Sequence, residues 1–204
     1  MKPLEQIPLH QITYTNTHRN KPTSMPYTIF SKTIENIHDY VVIDTETTGL
    51  NGKYDQIVEL SAIKYYNNEP IAIFETLIKP TCPIPYTTSR IHGITDEMVK
   101  DAPNIEEVLL DFEHFLEDLP IVGHNLLFDI TFIHYAGSTI LQNHKLYCTY
   151  RLASTRLLKP QQVPNHKLKT LCQYYNISID NHHRAYADCY MTGQLFQKLK
   201  GEAL

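Results

Sequence analysis

The sequence predicts an α/β domain, a mixed sheet covered by helices, and three observations point to it. A short apolar run, Tyr40-Val41-Val42-Ile43, ends in Asp44 and suits a strand buried on both faces. Two β-rich runs follow, Gln56 to Tyr66 and Pro70 to Lys79, separated by Asn67-Asn68-Glu69, residues suited to a tight turn. Beyond them, segments with helical spacing alternate with short apolar runs. Three strands in a meander followed by alternating helix and strand make a mixed sheet with helices against it.

The later elements follow in order. Ile105, Val108, Leu109, Phe112, Leu116 and Leu119 fall at helical spacing, with Asn104 as N-cap and Glu107 three residues on. Leu119 to Gly123 reads as a strand, about Phe128 to Ala136 as a helix, and Leu146 to Cys148 as the last strand. Helices near 149–158, 167–176 and 184–199 complete the chain. Residues 1–38 differ: they carry Pro3, Pro8, Pro22 and Pro26, and apolar periodicity begins only at Phe30, Ile34 and Ile37. This segment is expected to be an N-terminal extension with one short helix near 30–38, either a loose or self-packed arm or a tether for a partner or a second subunit. The main domain then spans 39–204.

Composition narrows the function. At 204 residues the chain fits one domain plus an appendage, taking roughly 150 residues per domain. Only 7 residues are glycine, and the closest pair, Gly49 and Gly52, fits neither a phosphate-cradling loop nor a dinucleotide fingerprint. P-loop NTPases and Rossmann dehydrogenases are thereby excluded. No apolar run approaches the roughly 18 residues of a membrane span. Cys82, Cys148, Cys172 and Cys189 form no C-x-x-C pair, and Met1 to Glu5 lacks the apolar core of a secretory signal. A cytoplasmic location with reduced thiols is expected.

A net charge of −4 argues against coating nucleic acid by bulk electrostatics, though not against gripping one end through metal ions. Residues 96–118 hold nine acidic groups and one basic, most simply a solvated helix face. Residues 145–184 hold seven basic groups and one acidic, either another solvated face or the place where a phosphate backbone lies.

Several carboxylates stand where a core prefers apolar residues. Asp44 ends the apolar strand, and Glu46, two residues on, projects from the same side. Asp129 opens a helix whose face continues through Phe132, Ile133 and Ala136, and Asp188 leads the stripe Met191, Leu195, Leu199. Singly, each has a simple explanation: a salt-bridged D-x-E, a helix N-terminal acid, a hydrogen-bonded buried aspartate. Together they are four costly carboxylates from three separated elements, and cations would compensate them. Hard oxygen ligands suit Mg²⁺ or Mn²⁺, and such clusters hold two ions about 3.5–4 Å apart in phosphodiester hydrolysis. His183, five residues before Asp188, is the candidate general base, with a plain exposed histidine as the alternative.

Three segments carry a resemblance: Asp44-Thr45-Glu46-Thr47-Thr48-Gly49-Leu50, His124-Asn125-Leu126-Leu127-Phe128-Asp129 and His183-Arg184-Ala185-Tyr186-Ala187-Asp188. They resemble the motifs of the DEDDh 3′→5′ exonucleases, above all the proofreading epsilon subunits of bacterial DNA polymerase III. Ile91-His92-Gly93-Ile94-Thr95 followed by Ala102-Pro103 adds to it, and the match covers roughly 39–200. The resemblance implies a ribonuclease H-like fold, with a mixed five-stranded sheet of a three-strand antiparallel meander plus parallel strands. It makes Asp44, Glu46, Asp129 and Asp188 the ligands of two Mg²⁺ or Mn²⁺ ions and His183 the general base. Ile91, His92 and Phe128 then line the terminal-nucleotide pocket, and Thr47 and Asn125 join them as substrate contacts. Where the sister group has a tyrosine four residues before the last aspartate, this chain has Arg184, which indicates the histidine subtype.

The resulting expectation is a metal-dependent 3′→5′ exonuclease releasing nucleoside 5′-monophosphates from single-stranded or frayed DNA ends, in proofreading or repair. A DNA polymerase or another replication or repair protein is the expected partner. The short stretch after the last helix favours a stand-alone or accessory enzyme. An exoribonuclease acting on RNA ends or short oligonucleotides is the alternative. A non-catalytic nucleic-acid-binding adaptor on the same fold is a second.

Overall fold

The computed structural model describes residues 5–6, 22–26, 28–139, 143–156, 162–179 and 183–201. Most of the extension, residues 157–158 of the helix expected at 149–158, and Lys159 of the basic stretch lie outside that set. In chain order the elements are β1 (Glu5–Gln6), β2 (Tyr40–Thr47), β3 (Ile57–Tyr66), β4 (Glu69–Leu77), α1 (Tyr86–His92), α2 (Asp96–Val99) and α3 (Ile105–Leu116). They continue with β5 (Ile121–Gly123), α4 (Leu127–Tyr135), β6 (Leu146–Cys148), α5 (Thr149–Arg156), α6 (Leu168–Tyr174) and α7 (Ala185–Gly201).

The sheet order is β1-β4-β3-β2-β5-β6. Strands β2, β3 and β4 form the expected antiparallel meander, while β5 and β6 run parallel to β2. Asn67 and Asn68 both take positive φ, 50° and 65°, as the two central residues of a tight hairpin of the primed type require. The five expected strands are present, and the two-residue β1 adds a sixth, parallel to β4.

Period-two alternation in β2 builds both cores. Val41 and Ile43 point toward α3 and α4, into a cluster with Phe112, Leu116, Ile130 and Ile133. Tyr40 and Val42 point the other way, toward α5, α6 and α7, packing with Leu152, Leu171, Leu195 and Phe196. Helix α3 begins as expected: Asn104 accepts from Glu107 N–H at 3.0 Å, and the Glu107 carboxylate accepts from Asn104 N–H at 2.9 Å. Gly193 lets α7 approach the sheet, since a Cβ there would lie 2.2 Å from the Tyr65 hydroxyl oxygen. Cys189 Sγ, buried in the same contact, donates to Ser61 O at 3.4 Å.

The helix expected near 30–38 is not formed. Phe30 bridges to Leu146 of β6, with Ser31 N–H donating to Leu146 O at 2.8 Å, and the chain turns at Glu35-Asn36. Phe30, Ile34 and Ile37 are anchors of an extended strap along that edge, with Ile34 wholly buried. Residues 5–6 and residue 30 thus pair with opposite edges of the sheet, where unpaired backbone groups would otherwise stand open. Two short helices, α1 and α2, escaped the sequence pattern; they cover a small core of Val58, Ile84, Ile94 and Val99. Cys148, Cys172 and Cys189 are buried, Cys82 is exposed, and all four are free thiols. Among the described residues no helix is long and apolar enough to cross a membrane.

Candidate active site

The end of β2 carries the site. Asp44 and Glu46 share the face that Tyr40 and Val42 present to α7, so the strand's own alternation aims both carboxylates at that helix. Asp188 comes from the first turn of α7 and is buried. Carboxylate oxygens of Asp44, Glu46 and Asp188 all lie within 4.8 Å of one another. A register shift between Glu46 and Thr47 marks a bulge against β3, a device that re-aims side chains beside functional sites.

Asp129 reaches the same strand end from the other layer, on α4. It is buried and held by one residue: Thr45 donates to Asp129 Oδ1 through its backbone N–H at 3.0 Å and its hydroxyl at 2.8 Å. The fourth carboxylate therefore stands against Thr45, next to the three-carboxylate cluster.

Asp44, Glu46 and Asp129 are reluctant to ionise without a cation. Burial, then the charges of Asp129, Asp188 and Glu46, hold Asp44 well above the usual carboxylate range. Burial, followed by Asp188 and Glu59, pushes Glu46 up to about 8. Asp129 rises to about 7, burial outweighing the Thr45 hydrogen bonds that lower it. Three mutually repelling, oxygen-only donors fit a hard divalent cation such as Mg²⁺ or Mn²⁺ better than a soft thiophilic metal.

His183 sits just before α7 with φ 73°, in the left-handed region, and its side chain is exposed. It lines a cleft of about 810 Å³ together with Asp44, Asp188, His124 and Asn125, and also an adjoining cleft of about 660 Å³ with Ile91 and His92. Next to it, Arg184 makes a forked pair with Glu59 of β3. Arg184 Nε lies 3.0 and 3.2 Å from the two carboxylate oxygens, and its terminal nitrogen lies 2.5 Å from Oε1. Glu59 also accepts from Ala185 N–H at 2.9 Å, so one carboxylate fastens the start of α7 to the sheet. The register places Glu59 directly opposite Glu46.

The structure thus gathers Asp44, Glu46, Asp188 and His183, with Asp129 adjoining. Ile91 is exposed at the mouth of the second cleft, whereas His92 is buried and its Nδ1 accepts from Ile94 N–H at 3.0 Å. Burial holds the His92 imidazole below its usual range. Asn125 is exposed with φ 58°. The Thr47 hydroxyl donates to Gly49 O at 2.6 Å, shaping the turn after β2. Phe128 lies half-buried on Phe132, ring centroids 4.8 Å apart. Sequence reasoning missed Thr45 and Glu59 as supports of the site. Their nearest signals were a hydroxyl between two acids and a lone acid inside an apolar strand.

Residues 41–196 match the RNase_T family of exonucleases. The chain belongs to that family. All four site carboxylates and His183 fall inside the matched span. The chain is similar to the PolC-type DNA polymerase III of Latilactobacillus sakei, 38% identical over 187 residues, covering 90% of this chain and 13% of that protein. It is 39% identical over 168 residues to the PolC-type DNA polymerase III of Bacillus subtilis, covering 80% of this chain and 12% of that protein. The chain therefore spans about one-eighth of the length of these relatives. Among solved structures, exonuclease X in complex with 5′-overhanging duplex DNA is 28% identical with TM-score 0.62, over 78% of this chain and 90% of that one. E. coli exonuclease I in complex with a dT13 oligonucleotide shares the fold at 21% identity and TM-score 0.67, over 80% of this chain and 41% of that one. The ribonuclease H-like architecture expected from the motifs is the architecture found.

Proposed function

We propose that this chain is a divalent-metal-dependent 3′→5′ exonuclease that releases nucleoside 5′-monophosphates from single-stranded or frayed DNA ends. The observation that carries the reading is the set of three carboxylates within 4.8 Å of one another in a cleft that His183 also lines. Asp44, Glu46 and Asp188 would hold one ion, and Asp44 with Asp129 would support a second. Ions held there supply positive charge for the phosphoryl oxygens and the departing 3′ oxygen, and favour ionisation of water. His183 Nδ1 or Nε2 takes the proton from the attacking water, the general-base role open to a neutral imidazole. Ile91 and His92 receive the terminal nucleotide, and Thr45 keeps Asp129 oriented throughout. The polymerase relatives and the DNA in the related structures favour DNA over RNA as substrate. They also favour a replication or repair setting with a polymerase as partner.

Matched 5′-labelled DNA and RNA strands, incubated with Mg²⁺, Mn²⁺ or chelator beside Asp44→Ala, test the reading. A chelator-sensitive ladder shortening from the 3′ end on DNA and absent in the variant is expected. The same ladder on RNA alone would move the enzyme to RNA processing, and no cleavage by a folded protein would leave a binding module.

A further inference from the structure

Two clefts meet at His183, one toward α1 and one toward α5 and α6. Each falls in the size range, about 300–1,000 Å³, that takes a ligand as large as a nucleotide. The α1 side holds Ile91 and His92. If the terminal nucleotide rests there, the rest of the strand must leave on the other side, past His124, Tyr150, Lys167 and Lys169.

That wall is built for a polyanion with flat bases. Lys167 and Lys169 flank Leu168, whose side chain is buried, so anchoring Leu168 leaves both ammonium groups exposed at the cleft. Asn165 Oδ1 fixes their positions by accepting from Lys167 N–H at 3.0 Å and the Thr170 hydroxyl at 2.8 Å. Neither lysine has an acidic partner among the described residues. Three other basic groups of the 145–184 stretch are engaged elsewhere. Arg156 pairs with Glu35, Arg184 with Glu59, and Arg151 lies over the Phe30 ring. Among the described residues, Lys167 and Lys169 are the members of the basic stretch that line this cleft.

Tyr150, on the same wall, contacts two imidazoles. Its ring centroid is 5.9 Å from that of His124 and 6.0 Å from that of His166, both edge-on, and 42% of the residue is exposed. His124 is itself fixed, its Nδ1 2.9 Å from the Thr149 hydroxyl. A part-exposed aromatic ring beside cationic groups is how single strands are held without regard to sequence.

We propose that the nucleotides 5′ to the scissile phosphate run along this wall, with Lys167 and Lys169 taking successive phosphates and Tyr150 stacking one base. The inference rests on the exonuclease reading for its direction, but binding tests it independently of cleavage. Anisotropy of a labelled dT8 strand in Ca²⁺, across a salt series, compares the wild type with Lys167→Ala/Lys169→Ala and with Tyr150→Ala. Hydrolysis of the p-nitrophenyl ester of thymidine 5′-monophosphate, one nucleotide long, reports on the metal site alone.

The double variant should bind dT8 about ten-fold more weakly, and its log–log salt dependence should flatten by about 1.4, two single-strand phosphates at ~0.7 each. Tyr150→Ala should also lose about ten-fold in affinity. Ester hydrolysis should stay within about three-fold of wild type in both. Unchanged affinity and salt slope in the double variant would overturn the assignment, as would a wild type that does not bind dT8. A parallel loss on ester and strand would overturn it too, since that traces the effect to the metal site. A wild type that binds with the stated slope yet cleaves neither substrate would sink the exonuclease reading and leave the strand path standing.

Discussion

Glu59 and Arg184 stand 125 residues apart in the chain and meet through a forked ion pair in which the carboxylate is buried. The pair joins β3 to the residue between His183 and α7, so the histidine and Asp188 are placed by the same clamp. Removing one partner strands a buried charge, although the guanidinium side is part-solvated and the loss is correspondingly smaller. Glu59→Ala should lower stability by about 2 kcal/mol and cut kcat at least ten-fold with little change in KM. Thermal melts and steady-state kinetics check both parts, and Arg184→Lys, which cannot fork, should fall between.

The carboxylate cluster itself should be destabilising until a cation binds. Asp44→Asn replaces a buried carboxyl that is costly to ionise with a neutral amide, and should stabilise the metal-free protein by about 1 kcal/mol, raising its melting temperature, while abolishing cleavage. Paired melts with chelator and with Mg²⁺ read this out: the variant should gain stability in chelator and gain little from metal.

The same groups set a pH dependence. Glu46 and Asp129 titrate near 8 and 7 in the folded metal-free protein, above their unfolded values. Groups raised in this way contribute stability below about pH 4, and that contribution is lost as pH rises through 7 to 8. Metal-free protein should therefore melt lower at about pH 8 than at about pH 6, and added Mn²⁺ should stabilise more at the higher pH. Melts at both pH values, with and without metal, decide the point.

Thr45→Val deletes the hydroxyl bond to Asp129 and keeps the backbone one. Outer supports of this kind are worth about ten-fold or more in metal affinity. A Mn²⁺ titration should show that loss, with stability reduced by about 1–2 kcal/mol.

Much of this was legible in the sequence because it is local. The run Tyr40 to Ile43, the Asn-Asn turn and the Asn104–Glu107 capping box are written in neighbouring residues, and all three formed. Asp44 and Glu46 were recognisable as a pair because strand alternation fixes them to one side. Thr45 and Glu59 were not, because their partners lie 84 and 125 residues away and only the folded chain brings them together. The strap at 30–38 misled for a related reason: apolar residues three or four apart suit a helix, yet here they are anchors along β6, a tertiary choice invisible to spacing. Helices α1 and α2, seven and four residues long, are too short to set up a periodic stripe.

Metal binding and bond cleavage can be separated in one experiment. Single-turnover cleavage of a DNA strand and Mn²⁺ binding would be measured side by side for wild type, His183→Ala and Asp188→Asn. The geometry requires His183→Ala to bind Mn²⁺ within about three-fold of wild type yet cleave at least a hundred-fold more slowly, while Asp188→Asn loses both. Near-wild-type cleavage by His183→Ala, or cleavage by the wild type in chelator, would overturn the assignment of this site.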